Sequence, residues 1–244
     1  EGSSVAKSKA NFDLIHFSAK GLAVATSATW EFLNYQSVYA RNSIISGVRN
    51  AFANKIDYDI INGDPSVGLE GILKNTKIDT YTTSAVGKIS FEDILNASSK
   101  LRLGANPTVV MHKRTYNRLL VERDNENAPI MNFIANNLPV NQRSYLGFNL
   151  VLVGDVDLGV NSSGNRVISP MLKTVDNSNA FTSNDDVVLI GNFSAAYKMV
   201  VGREMTMVED NMNDVASQII NWYAFMDIDG KVVDETQIIK VRIK

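Results

Sequence analysis

The chain has 244 residues, 45% of them apolar and 20% charged, with 24 Lys and Arg against 26 Asp and Glu. That length suits one large domain or two smaller ones with a well-buried core. The near-neutral balance excludes the basic excess of a protein built to grip nucleic acid, and the absence of cysteine removes disulfides, thiolate zinc sites and thiol nucleophiles together.

The chain opens on Glu1-Gly2-Ser3-Ser4, which has neither the charged nor the apolar region of a signal peptide. It lacks an initiator Met, so upstream sequence is expected. No apolar run reaches the ~18 residues of a membrane span. Residues 12–26 predict extended chain, with Leu22, Val24 and Thr26 alternating with small residues. Ser27-Ala28-Thr29 supplies a hydroxyl cap for a short helix over 30–33. The longest predicted helix covers 37–61, where Val38, Ile45, Val48, Phe52 and Ile56 form one apolar stripe and Arg41, Arg49, Lys55 and Asp59 lie mostly off it. Gly47 inside it costs up to ~1 kcal/mol against Ala. Asn62-Gly63-Asp64-Pro65 ends it.

Residues 64–89 read as turns with short extended pieces. A helix is predicted over 90–103, with Ser90 as cap and Asp93 three residues on, close to a capping box. Pro107 opens a strand over 108–111. An amphipathic helix over 113–122 turns Tyr116, Leu119 and Leu120 inward, and Asp124-Asn125-Glu126-Asn127 breaks it. A strand follows at 148–153, then polar loops at 154–165 and 174–186 on either side of a connecting stretch. Strands are predicted at 187–190, 197–201 and 205–208, with a long apolar stretch over 215–226. Asp229-Gly230 signals a hairpin turn, and 232–243 closes the chain as a strand. This order of elements gives an α+β class.

Catalytic motifs are absent from the sequence. Its two histidines, His16 and His112, have no metal-ligand spacing and read as structural or surface residues. No dinucleotide, phosphate-loop or nucleophile-elbow motif occurs, and Gly68 with Gly71 reads as a chain reversal. Asp227-Ile228-Asp229-Gly230 resembles part of a calcium loop, yet Phe225 and Thr236 fall where ligands are required. Asp155, Asp157 and Asn161 read as a solvated loop, not a cation site. Glu92/Asp93 and Glu209/Asp210 are neighbours whose side chains diverge. No catalytic residue, cofactor or metal is therefore expected.

Several segments, in order, resemble the phage capsid family with the Hong Kong 97-type shell fold. The long helix running into Asp59-Ile60-Ile61-Asn62-Gly63-Asp64, then Leu69-Glu70-Gly71-Ile72-Leu73, is similar to that family's spine helix and the turn behind it. Residues 108–116 resemble its strand-to-helix step, and 123–130 its polar loop. Residues 145–151 are similar to a following strand, with Asn149 for the usual Pro. Val188-Leu189-Ile190-Gly191-Asn192-Phe193 with Tyr197, and Asp227-Ile228-Asp229-Gly230-Lys231-Val232-Val233, match later motifs, with Asn192 for the usual Asp.

The resemblance implies a peripheral domain over 1–63 and 196–228, and an axial domain over 64–195 with a returning strand at 229–244. It implies a homo-oligomer of pentamers and hexamers forming an icosahedral virion shell, assembled in the host bacterial cytoplasm. Such a shell encloses DNA without sequence-specific binding, beside possible scaffold, portal and maturation-protease partners. Asp124, Asn125, Glu126 and Asn127, with Asp155 and Asp157, are the candidate intersubunit loops. Some members cross-link subunits through Lys and Asn near a late-strand carboxylate. The matching strand here, 219–225, has no Asp or Glu, so no cross-link is expected. Two alternatives stand beside this reading: an encapsulin-type nanocompartment shell, and an α+β hydrolase with a dispersed site around His16 or His112.

Overall fold

The computed structural model describes residues 14–35, 37–102, 107–121, 144–145, 148–176, 180–212 and 217–244. Helix α2 (Ser37–Asn62) is the spine of the chain. Its 26 residues span ~39 Å at ~1.5 Å per residue. Ala40, Val48 and Phe52 are buried along its first two thirds, with Ile44 packed beside them. Each step of four residues drifts by about 40° around the helix. By Ile60, 20 residues after Ala40, the buried face has turned by about 200°, so the helix end meets a second core on its other side.

The first core lies under a three-stranded antiparallel sheet of order β1-β10-β9. These strands are β1 (Lys20–Thr29), β10 (Ile219–Val232) and β9 (Tyr197–Asp210). Strict alternation along β1 aligns Leu22, Val24 and Thr26 with Met226, Ala224 and Trp222 on the helix side. Ile220 and Trp222 close on Leu33 of α1 (Trp30–Tyr35) and on Ala40, while Ala224 sits over Val48 and Phe52.

The second core belongs to a six-stranded mixed sheet of order β2-β11-β8-β3-β5-β4. Its strands are β2 (Asp79–Thr82), β3 (Thr108–His112), β4 (Ser144–Tyr145), β5 (Phe148–Val153), β8 (Asp186–Gly191) and β11 (Ile238–Arg242). The central strands are apolar on both faces because both are covered. On one face α3 (Phe91–Ser98) and α4 (Lys113–Leu120) pack Ile94, Tyr116 and Leu119 against Met111, Ile190 and Val241. On the other, Ile61 and Ile72 meet Val110, Leu189 and Ile238.

The structure corrects several expectations. The stripe on α2 omits Val38, which is exposed, and Asp59 is buried. The helix from Ser90 ends at Ser98, and Asp93 completes the capping box with both reciprocal bonds. The expected loop at 154–165 holds a strand: β6 (Asp155–Val160) pairs with β7 (Arg166–Pro170) in a separate hairpin. The strands expected at 197–201 and 205–208 are one strand, β9, whose register against β10 shifts near Arg203.

Asp229-Gly230 is not a turn but lies inside β10. β10 leads into β11 through a 3-10 turn at Glu235–Gln237, against which the short helix α5 (Phe193–Ala196) packs. Gly230 is needed for close approach: a Cβ there would stand 2.4 Å from Tyr197 Oη. Asp124, Asn125, Glu126 and Asn127 lie outside the described residues. Among the described residues, no helix is long and apolar enough to cross a membrane.

Candidate assembly elements

Both sheets and the spine meet at one joint, built from the turn after α2. Gly63 N–H donates to Asp59 O at 2.7 Å and closes the helix. The chain then folds back on the helix end. Gly71 N–H donates to Gly63 O (3.1 Å), Ile72 N–H to Ile60 O (2.9 Å) and Leu73 N–H to Ile61 O (3.0 Å). Side-chain-free contact is obligatory here, since a Cβ on Gly63 would fall 2.3 Å from Asp59 O, and one on Gly71 would fall 2.3 Å from Gly63 N. Glu70 N–H donates to Gly230 O of β10, and Tyr197 Oη donates to Glu70 O at 3.1 Å. Burial first, then the nearby Glu70, Asp229 and Asp59 carboxylates, hold the Tyr197 phenol well above its ordinary pKa, so it remains a donor.

Buried polar groups complete the joint. Asp59, on the last turns of α2, pairs with Lys55 at 2.8 Å. The Lys240 ammonium is buried beneath the turn and donates to Asn75 O at 2.9 Å; burial lowers its pKa. The Asp229 carboxylate is 4% exposed. It accepts the N–H of Gly230 at 2.8 Å and that of Ser18 at 2.6 Å, which pins the segment before β1 over the joint.

The β6–β7 hairpin carries two of the candidate residues. Asp155 sits at its root, 3.0 Å from Arg114 and 3.3 Å from His112 Nε2. Asp157 pairs with Arg166 across the hairpin. Both carboxylates are about one third exposed and neutralised within the chain. Asp157 and Leu158 line an open cleft with Phe52, Lys55 and Tyr58, so the hairpin lies along the spine helix. Its Ile168 is 58% exposed. A second exposed apolar surface is the outer face of the three-stranded sheet. There Tyr223 stands between Ala25 and Val208, and Phe225 between Ala23 and Thr206.

The histidines do not build a hydrolase site. His16 is exposed. His112 does approach a carboxylate, but its Nδ1 lone pair already accepts the Arg114 N–H at 3.1 Å, and the ring is 2% exposed. A cavity of about 690 Å³ runs between the end of α2 and the six-stranded sheet and is lined mainly by apolar side chains such as Ile60, Val110, Val151 and Phe193. Among the described residues no cluster of three or more His, Asp or Glu is arranged to hold a metal ion. Sequence reasoning named Asp155 and Asp157 as candidates but missed the partners of both, and it missed Asp59, Asp229 and Lys240 as buried polar groups.

A sequence model of the phage capsid family matches residues 1–169. Comparison with curated proteins finds no match. Among solved structures, the chain is similar to the capsid of an empty GTA particle at a TM-score of 0.74 and 15% identity, over 99% of this chain and 80% of that one. It is similar to a structure from Gordonia phage Cozz at 0.63 and 12% identity, over 100% and 78%. It is also similar to an encapsulin complex from Synechococcus elongatus PCC 7942 at 0.62 and 10% identity, over 92% and 73%. At these identities the structural likeness is one of fold. The family match covers residues 1–169 of 244 and the capsid fold extends over nearly the whole chain, so this chain belongs to the phage capsid family and is a structural shell protein.

Proposed function

We propose that the chain is the major capsid protein of a tailed phage, assembling as pentamers and hexamers into an icosahedral shell around the genome. The observation that carries this reading is the family match over 1–169, joined to a capsid fold over 99% of the chain. A formal charge of -2 and the absence of a basic excess favour enclosure of DNA over sequence-specific binding. A closed shell needs one protomer to present the same contacts repeatedly, with closure set by symmetry. The reading divides the chain into a peripheral domain (1–63 and 196–228) and an axial domain (64–195 and 229–244). Support comes from the two sheets, each with its own core, which meet at the spine helix and the joint. Asp124 to Asn127 and the hairpin of Asp155 and Asp157 are proposed as intersubunit contacts. Scaffold, portal and maturation protease are the proposed partners, assembly is in the host bacterial cytoplasm, and the mature location is the virion. No catalytic role is assigned.

The test is electron microscopy with sedimentation on the full-length product. Uniform shells, or discrete pentamers and hexamers, are expected; a strictly monomeric protein at every salt and concentration overturns the shell reading. The match to an encapsulin complex favours a second reading, a protein compartment with the same fold. Particle contents decide between them, with nucleic acid expected for the phage shell and a protein cargo for the compartment.

A further inference from the structure

The root of the β6–β7 hairpin holds a titratable group that touches both the hairpin and the start of α4. His112 ends β3 and caps α4, with Nδ1 accepting the Arg114 N–H. Only a nitrogen without a proton accepts, so the neutral ring carries its proton on Nε2. That atom is buried and faces Asp155 Oδ1 at 3.3 Å without a well-formed hydrogen bond. The charged groups whose fields reach the ring are Asp155, at the start of β6, and Arg114, in the first turn of α4. Those two pair with each other at 3.0 Å. The neighbouring strand β5 sets uncharged Val153 opposite His112.

We propose that His112 is a proton-operated catch that fastens the hairpin root and the first turn of α4 at neutral pH and releases them in acid. The proposal rests on the reading of this hairpin as an intersubunit contact. A proton arriving at Nδ1 sets two donors face to face, so either the Arg114 N–H loses its acceptor or the ring turns over. Both outcomes remove the cap of α4. The imidazolium attracts the Asp155 carboxylate, in competition with the Arg114 guanidinium, but burial of the charged ring outweighs that attraction, so the closed arrangement is the one that acid disfavours. One proton therefore rearranges both attachments of the hairpin root.

The direction of the pH effect follows from burial, which outweighs the Asp155 charge and holds His112 below its ordinary value of 6.5. An opened state titrates near 6.5 and the closed state lower, so the closed form loses nothing above 6.5. Below it, the opened form binds the proton first. Opening becomes more favourable by up to about tenfold per pH unit until the closed-state value is reached.

The experiment is hydrogen exchange of the full chain from about pH 8 to about pH 5, corrected for intrinsic rates, beside His112→Asn. Asn is a favoured N-cap and does not titrate in this range. Protection of 113–116 and 155–170 is expected to be flat above 6.5 and to fall below it in the wild type, and to stay flat in the variant. Equal acid loss in both chains overturns the proposal. In the wild type, the His112 ring proton resonance must titrate below 6.5 in step with the exchange; titration at or above 6.5 overturns it without any variant. Ile168→Arg tests the underlying reading separately. If it blocks assembly while exchange shows no His112 effect, the catch fails and the contact stands. If it assembles normally while exchange follows His112, the catch stands and the contact fails.

Discussion

Gly71→Ala probes the joint at the point where the structure leaves least room. The new Cβ would lie 2.3 Å from Gly63 N and 2.7 Å from both Asn62 C and Gly63 O, all backbone atoms. Ordinary contact lies at about 3.5 Å, so the turn must move off the helix end by about 1 Å. The three bonds that hold it there, at 3.1, 2.9 and 3.0 Å, then stretch beyond hydrogen-bonding range. At a net ~1 kcal/mol each this is ~3 kcal/mol. Displacing Leu69 and Ile72, both buried, adds ~1–2 kcal/mol of repacking. The expected loss is therefore ~4–5 kcal/mol, at the upper end for a point substitution. Urea unfolding of the unassembled chain, followed by circular dichroism, reads this as a midpoint about 1.5–2 M lower for a slope of ~2.5 kcal/mol/M. Gly47→Ala is the matched control. It makes the same chemical change inside α2, where a Cβ meets nothing within 4 Å, and is expected to stabilise by ~0.5–1 kcal/mol. A Gly71→Ala chain within about 1 kcal/mol of wild type would show that the turn has slack and would refute the reasoning.

Asp93→Ala removes the carboxylate half of the capping box, keeps the backbone N–H bond to Ser90 Oγ, and leaves the N–H groups of Ser84 and Ser90 without their acceptor inside a buried site. A loss of ~2–4 kcal/mol in urea unfolding is expected, with Asp93→Asn retaining part of it. Tyr197→Phe should cost ~1 kcal/mol for the bond to Glu70 O. It should also soften Gly230→Ala, whose Cβ meets Tyr197 Oη at 2.4 Å, although Leu69 Cδ2 at 2.7 Å still resists. The double-mutant cycle is expected to show a coupling of ~1–2 kcal/mol, and additivity would disprove the contact. Ser18→Pro deletes the N–H held by buried Asp229 without touching the core. Tryptic cleavage after Lys20 should accelerate, on the order of tenfold, and an unchanged rate would show that the Asp229 bond does not hold this segment.

The elements that sequence reading located were those whose cause is local. The cap at Ser90, the stop at Gly63 and the inward face of α4 depend on residues within one or two turns, and each stands as expected apart from its end point. The errors came from long-range causes. Asp229-Gly230 has the composition of a turn, but its glycine answers to Tyr197 and Leu69, far away in the chain. Asp59 looked like a surface charge because the drift of α2 toward its second core is invisible in a single stripe. The alternation in Asp155-Val156-Asp157-Leu158 was legible as a strand and was outweighed by its polarity; only Val156 of that set is buried. The candidate residues Asp155 and Asp157 were visible as acids, whereas His112, Arg114 and Arg166 reach them only through the folded chain.

The joint explains why so much specificity is concentrated between residues 59 and 73. A shell closes only if each protomer holds its contact surfaces at fixed relative angles. Here the exposed aromatic face of the three-stranded sheet and the hairpin beside the six-stranded sheet, the latter proposed as a contact, are referred to each other through α2 and the turn behind it. Each degree of rotation at the joint moves the far end of a ~39 Å helix by about 0.7 Å. A gap of 0.5–1 Å already forfeits roughly a quarter to a half of a van der Waals contact. An error of one or two degrees thus weakens an interface that is repeated over every subunit, long before it threatens the core. Backbone-to-backbone contact at Gly63 and Gly71 is the stiffest connection available, because it has no side-chain rotamer through which to relax. The glycines of this turn are therefore best understood as setting an angle, with chain reversal as the lesser part of their role.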